Sequence, residues 1–123
     1  MKEEATFLFI QDALKSVWAL ELLLLLHRDR ERGWRSDQLV RELRGSEVVV
    51  SEALAGLRAA GLTAETASKT FKYGPSPGDE LDQQVNALAE IYATRPMAVI
   101  KAITGSPNEK LRIFSDAFKL RDS

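Results

Sequence analysis

The sequence predicts a mainly α-helical fold that carries one small β-hairpin. Over most of the 123 residues, apolar side chains recur at intervals of three and four, which is the spacing of one helix face. The stretch from Leu62 to Tyr73 differs, because threonine and aromatic residues surround two small residues, as in a hairpin. Further upstream, Gly45 and Ser46 are expected to form a tight corner between two short helical segments.

Length and composition bound the possibilities. A chain of this length forms one domain, here residues 1–123, and 45% hydrophobic residues is typical of a globular protein. The absence of cysteine excludes disulfides and is compatible with a reducing compartment, so we expect a cytoplasmic protein. The net charge is −1, and residues 27–74, with nine basic against seven acidic residues, are the only net basic third. One copy of this segment would therefore neutralise DNA phosphates weakly, and a dimer would double the contact.

The N-terminal part is expected to form one long helix from Thr6 to Glu31, with Thr6 as its N-cap and Gly33 just past its end. Five consecutive leucines, Leu22–Leu26, place apolar groups all round this helix, which predicts that it is buried on every side. The apolar run at 17–26 is shorter than the about 20 residues that span a bilayer, and no signal peptide is recognisable. We therefore expect a central core helix and no membrane partner.

Residues 34–62 are expected to form two short helices. Ser36 has the position of an N-cap, Gly45 would end the first helix in the left-handed conformation, and Ser46 would cap the second. Gly61 would end the second helix. An antiparallel helix hairpin has the same ingredients, so these residues alone leave both arrangements open. The residues expected to face the core are Leu39, Val40, Leu43, Val50, Leu54 and Leu57.

The hairpin is predicted from Leu62–Thr66 and Lys69–Tyr73, with Ala67 and Ser68 at its tip. Trp34 is expected on a short extended segment that precedes the two helices. The glycines and prolines of residues 74–78 must interrupt regular structure.

Three further helices are predicted after residue 78. The first covers residues 79–95 and ends before Pro96, which cannot lie inside an unbroken helix. The second covers residues 96–103. A capping box at residues 106–109, with proline at the first helical position, opens the third. The apolar residues that define these faces are Leu81, Val85, Leu88 and Tyr92 in the first helix, and Leu111, Phe114 and Phe118 in the third.

A helix, a turn, a second helix and a hairpin, in that order, resemble the winged helix-turn-helix of bacterial transcriptional regulators, with the MarR-like group nearest. The resemblance covers about Lys15 to Tyr73 and includes the phrase SEALAGLRAAGL at residues 51–62. It implies a helix-turn-helix and wing over residues 15–74, followed by C-terminal helices over residues 79–123. It also implies a transcriptional regulator that binds double-stranded DNA as a homodimer through its first and C-terminal helices. Packing of the C-terminal helices within one chain is the alternative for the same apolar faces.

If Val50, Leu54 and Leu57 face inward, the opposite face of their helix would enter the major groove of DNA. Basic residues of the preceding helix and of the hairpin would contact phosphates. The residues expected to contact DNA are Arg35, Ser36, Arg41, Ser46, Glu47, Ser51, Glu52, Arg58, Lys69 and Lys72.

Two glutamates on this face keep a second hypothesis open. A glutamate can accept a hydrogen bond from cytosine N4, but carboxylates close to phosphates are unfavourable. A winged helix that binds a partner protein through Glu47, Val48 and Glu52 would explain the same residues.

The sequence gives no support to catalysis, a metal site or a cofactor. His27 is the only histidine, and the P-loop, GxGxxG and HExxH motifs are absent. We therefore expect a protein that is not an enzyme.

Overall fold

The computed structural model describes residues 2–66 and 69–104 of the chain. Within these ranges the chain forms six helices and one antiparallel hairpin, which confirms the predicted mainly α fold with a small β-hairpin wing. The elements are α1 (Lys2–Ala13), α2 (Val17–Arg28), α3 (Ser36–Leu43), α4 (Glu47–Ala59), β1 (Thr63–Glu65), β2 (Phe71–Tyr73), α5 (Glu80–Thr94) and α6 (Pro96–Thr104).

The prediction of one long helix over residues 6–31 is wrong, because the chain breaks between α1 and α2. Ser16 has extended backbone angles, and its hydroxyl accepts a hydrogen bond of 3.1 Å from the Ala19 N–H, so it caps α2. Thr6 is not a cap but lies buried inside α1, where its hydroxyl donates to Gln84 Oε1 at 3.3 Å. The break turns α1 back against α5 and α6.

α2 is the centre of the core. Leu20, Leu22, Leu23 and Leu26 are completely buried, and α2 packs against α3, α4, α5, α6 and β2. This confirms the prediction of a central core helix, but α2 is not buried on every side, since Trp18 is 38% exposed and Leu24 is half-buried. Burial of one leucine side chain stabilises the folded chain by about 2 kcal/mol. The buried leucines of α2 therefore contribute strongly to the packing of the elements around it.

Both ends of α3 differ from the prediction by one residue, because the N-cap and the left-handed residue each lie one position earlier. Ser36 is not the N-cap. Arg35 has that position, and its N–H donates to the side-chain oxygen of Gln38 at 2.9 Å. At the other end Arg44, and not Gly45, has the left-handed conformation, with φ 55°. Gly45 is needed for a different reason, since a Cβ there would lie 3.1 Å from the Trp18 ring.

α4 has the two ends that the sequence predicts. The Ser46 hydroxyl accepts a hydrogen bond from the Val49 N–H at 3.2 Å, which confirms it as the N-cap. Gly61 follows the helix with φ 76°, a conformation that other residues adopt only with strain. Between them Val50, Leu54 and Leu57 are buried, as expected.

The hairpin has a third, short partner. β1 and β2 pair with Thr63 opposite Tyr73 and Glu65 opposite Phe71. Trp34 forms a bridge to Phe71 through two backbone hydrogen bonds of 2.8 and 2.7 Å, which confirms the predicted extended segment before α3. Ala67 and Ser68, the predicted tip, lie outside the described residues. The wing is thus attached to the segment that connects α2 to α3.

The C-terminal part agrees with the sequence over the described residues. Asp79 is the N-cap of α5, which covers 80–94, and Pro96 begins α6. Val85, Leu88 and Ile91 are buried. The predicted final helix with Leu111, Phe114 and Phe118 lies outside the described residues. None of the helices within 2–66 and 69–104 has the length and apolar character needed to cross a membrane.

Candidate nucleic-acid interface

α4 presents one complete face to solvent. All six of its predicted outward residues are exposed, and Val48 is 65% exposed. We call this surface the α4 outer face, and it consists of Glu47, Val48, Ser51, Glu52, Ala55 and Arg58. The face is polar at most positions, with two carboxylates near its N-terminal end and one guanidinium near its C-terminal end.

The two predicted serines at the helix starts are arranged differently. Ser46 uses one lone pair of its hydroxyl oxygen to cap α4, so its O–H and a second lone pair remain for other partners. Ser36 is the first residue of α3 and is exposed.

The predicted arginines of α3 share one carboxylate. Arg35 Nε donates to Asp37 Oδ1 at 3.1 Å, and Arg41 Nη2 lies 3.7 Å from Asp37 Oδ2. The hydrogen bond from Arg35 lowers the pKa of Asp37 and raises the pKa of Arg35. These side chains are solvent-exposed, so the pairs compete only weakly with a phosphate.

The wing is tied to the end of α4. Arg58 Nη1 lies 3.2 Å from Glu65 Oε1 on β1, which joins the α4 outer face to the hairpin. Lys69 has a left-handed backbone with φ 60°, and its N–H donates to the Thr66 carbonyl at 3.1 Å in the turn. Lys72 lies on β2 opposite Ala64 and is half-buried. The wing therefore carries one lysine beside its tip and one on its second strand.

A buried carboxylate that the sequence analysis missed anchors the base of the wing. Asp82 on α5 is 3% exposed, and its Oδ1 accepts hydrogen bonds from Tyr73 Oη and from Arg30 Nη1, both at 2.8 Å. Its Oδ2 accepts from the Gly78 N–H at 2.9 Å. These contacts join the turn after α2, the second strand and the start of α5.

The titration of this group follows from its surroundings. Burial alone would raise the pKa of Asp82, but the hydrogen bonds from Gly78 and Tyr73 and the charge of Arg30 outweigh it, so the pKa is lowered. Burial and the hydrogen bond to Asp82 raise the pKa of Tyr73. Asp82 is therefore ionised and Tyr73 neutral at neutral pH.

A second layer surrounds this carboxylate. Arg30 Nη2 donates to Asn86 Oδ1 at 2.9 Å, and His27 Nε2 lies 2.7 Å from the same oxygen. The Arg30 guanidinium also lies over the Tyr73 ring, 5.1 Å from its centroid. Together Arg30, His27, Tyr73, Asp82 and Asn86 form what we call the Asp82 cluster. The sequence does contain one indication of this cluster. Asp82 lies three residues before Val85, and this spacing places the carboxylate on the side of α5 that faces the core.

Two open clefts flank α3. The larger, about 370 Å³, lies between α2 and α3. Its lining residues are Trp18, Glu21, Leu25, Arg28, Glu42 and Leu43. Glu21 is held there by Tyr92, whose hydroxyl donates to it at 2.8 Å, and this hydrogen bond raises the pKa of Tyr92.

The smaller cleft, about 210 Å³, is lined by Arg32, Trp34, Gln38, Arg41 and Glu42. We call it the Trp34 cleft. The Arg32 guanidinium lies over the Trp34 ring, 3.5 Å from its centroid. Over the described part of the chain, no group of three or more acidic, histidine or cysteine side chains could hold a metal ion.

In comparisons with models of protein families, with curated proteins and with solved structures, the chain matches none of them.

Proposed function

We propose that this chain binds double-stranded DNA and regulates transcription as a winged helix-turn-helix protein of the MarR-like type. The observation that carries the proposal is the α4 outer face, which is exposed over its whole length beside a wing that bears Lys69 and Lys72. A helix of this length with one free face fits the major groove, and a basic hairpin fits the adjacent backbone.

In this proposal the N-terminal end of α4 reads base edges. Ser51 can donate to or accept from a base, and Glu52 can accept from cytosine N4. Arg41 and the wing lysines would contact phosphates and fix the position of α4. Because the carboxylates of Glu47 and Glu52 repel phosphates, we expect modest affinity for each copy of the chain and a need for two copies.

We further propose that the protein is a homodimer through its first and C-terminal helices. Leu8 on α1 is 59% exposed and Met97 on α6 is 61% exposed, on two helices that pack against each other. Two copies would place their α4 helices in successive major grooves, about 34 Å apart. Light scattering on Leu8→Lys tests this interface, since a lysine there should lower the mass to that of a monomer. An unchanged mass would remove α1 from the dimer contact.

A second candidate is supported by Val48. A large apolar side chain that is 65% exposed between two glutamates suits a partner protein better than it suits DNA. In that case Val48→Asp would abolish binding of the partner, and DNA affinity would be absent.

The proposal is tested by fluorescence anisotropy of a labelled duplex of random sequence at about 50 mM and about 200 mM salt. We expect binding that weakens steeply with salt, and a smaller salt slope for the double variant Lys69→Ala/Lys72→Ala. The matched control is Lys15→Ala/Lys101→Ala, which removes two exposed lysines outside α4 and the wing. Equal affinity for all three proteins would remove the wing from the contact, and no binding at the lower salt would overturn the DNA proposal.

A further inference from the structure

We propose that the Trp34 cleft binds a phosphate-type oxyanion. The inference deepens the proposed function and rests on it in part, because one source of such an anion is the DNA backbone. The other source is a free phosphate group in solution. Both present the same chemistry to the protein, namely a tetrahedral group of acceptor oxygens with negative charge.

The charged side chains of the cleft favour an anion. Arg32 and Arg41 lie on it, opposed by the single carboxylate of Glu42. The Arg41 side chain is 80% exposed, and its carboxylate neighbour Asp37 is 3.7 Å away, which leaves the guanidinium available. Two guanidinium groups present planar arrays of donors that match the oxygens of phosphate.

The amide of Gln38 adds a neutral donor. Its side-chain oxygen is already used, since it accepts from the Arg35 N–H at 2.9 Å. The NH₂ group is therefore the part of this amide that remains for a ligand, and it can only donate.

Trp34 supplies an independent observation. The residue is 4% exposed, and its Nε1–H is buried without a hydrogen-bond partner among residues 2–66 and 69–104. A buried N–H without an acceptor is unfavourable, and the indole nitrogen can only donate. The Arg32 guanidinium lies over the face of this ring, so a positive charge and the buried indole belong to the same cleft. Apart from Glu42 and the Gln38 oxygen, which is already bonded to Arg35, the polar groups that line the cleft are donors.

The test uses the indole N–H of Trp34 as the probe. Trp18→Phe leaves Trp34 as the only tryptophan, so its indole signal in a ¹H–¹⁵N spectrum is unique. In this background we titrate inorganic phosphate, with sodium chloride at matched ionic strength as the reference. We expect a saturable downfield shift of the Trp34 indole proton with phosphate. A shift that is the same with chloride, or one that does not saturate, overturns the site.

Substitutions locate the anion. Arg32→Gln and Arg41→Gln should each weaken phosphate binding about tenfold or more, since each removes charge-assisted hydrogen bonds. Arg28→Gln is the matched control, because it removes an exposed arginine that lines the other cleft. Equal weakening by all three variants would show a general charge effect and would contradict the proposal.

A second titration, with a short duplex at low salt, separates the two sources of the anion. If the duplex shifts the Trp34 indole signal and Arg41→Gln weakens duplex binding, the ligand is a backbone phosphate. If phosphate binds but no duplex does, the site holds a free oxyanion. The anion site then stands, and only the proposed DNA function is overturned. If the duplex binds without moving the indole signal, and phosphate gives no saturable shift, the site fails and the DNA function stands.

Discussion

At the scale of single residues, Asp82 anchors the base of the wing. It is buried, ionised and bonded to Tyr73, Arg30 and the Gly78 backbone, so it links three parts of the chain that are distant in sequence. A charge of this kind is stable inside a protein only when its hydrogen bonds are satisfied. This carboxylate therefore helps to fix the wing against α2 and α5, beside the backbone bridge from Trp34 to Phe71.

We expect Asp82→Asn to lower the free energy of unfolding by about 2 kcal/mol, because it removes the negative charge to which Arg30 and Tyr73 donate hydrogen bonds. The measurement is urea denaturation followed by circular dichroism. Asp79→Asn is the control, since Asp79 is exposed and its side chain makes no capping hydrogen bond. An equal loss in both variants would mean that the Asp82 cluster contributes nothing specific.

The lowered pKa of Asp82 also predicts how stability changes with pH. Above the unfolded-state pKa of an aspartate, about 3.9, the carboxylate is ionised in both the folded and the unfolded chain. The contribution of the Asp82 charge to the free energy of unfolding is then fully present. It is lost as the pH falls through the lower native pKa, where the folded protein must also take up the proton. Urea denaturation at pH 7 and at about pH 3 should therefore show a smaller loss of stability in Asp82→Asn than in the wild type. The same loss in both proteins would contradict the lowered pKa.

At the scale of elements, the ends of the helices separate what the sequence predicts from what it does not. Ser46 and Gly61 were identified correctly because both act locally, through one hydrogen bond and one backbone angle. Ser16 was missed, since the apolar pattern runs straight through it and gives no sign that the chain turns. The break is favourable because it lets α1 pack against α5 and α6, contacts that are remote in sequence.

The N-caps of α2 and α4 can be tested by substitution. Ser16→Ala and Ser46→Ala should each lower the free energy of unfolding by about 1 kcal/mol, because each removes a capping hydrogen bond to a helix N–H. Ser36→Ala is the control, because this serine is the first residue of α3 and Arg35 has the N-cap position. Thermal or urea denaturation measures all three. An effect of Ser36→Ala as large as the other two would restore it as a cap.

Two glycines near α4 should respond in opposite directions. Gly61→Ala should destabilise by about 1 kcal/mol or more, because φ 76° is strained for alanine. Gly56→Ala should stabilise by about 0.5–1 kcal/mol, since it lies within the helix and an added Cβ meets nothing within 4 Å. Urea denaturation of the two variants checks both signs, and destabilisation by Gly56→Ala would contradict the packing around α4.

At the scale of the whole molecule, the order of elements was predictable because local patterns determine it. The five leucines identified the core helix, and the threonine- and aromatic-bearing stretch identified the wing. The Asp82 cluster and the Trp34 cleft were not predictable, since each joins residues that only the folded chain brings together. The exposure of the α4 outer face was predicted, and its partner stays a prediction. The same holds for the homodimer.

The central claim is that the α4 outer face and the wing contact DNA. The most direct measurement is a ¹H–¹⁵N spectrum of the full chain during titration with a short duplex at about 50 mM salt, where electrostatic affinity is largest. We predict that the amide signals of residues 46–58 and 69–73 shift or broaden first, while those of α5 and α6 stay unchanged. Shifts confined to α1 and α6, or no shift at all with a folded protein, would contradict the account.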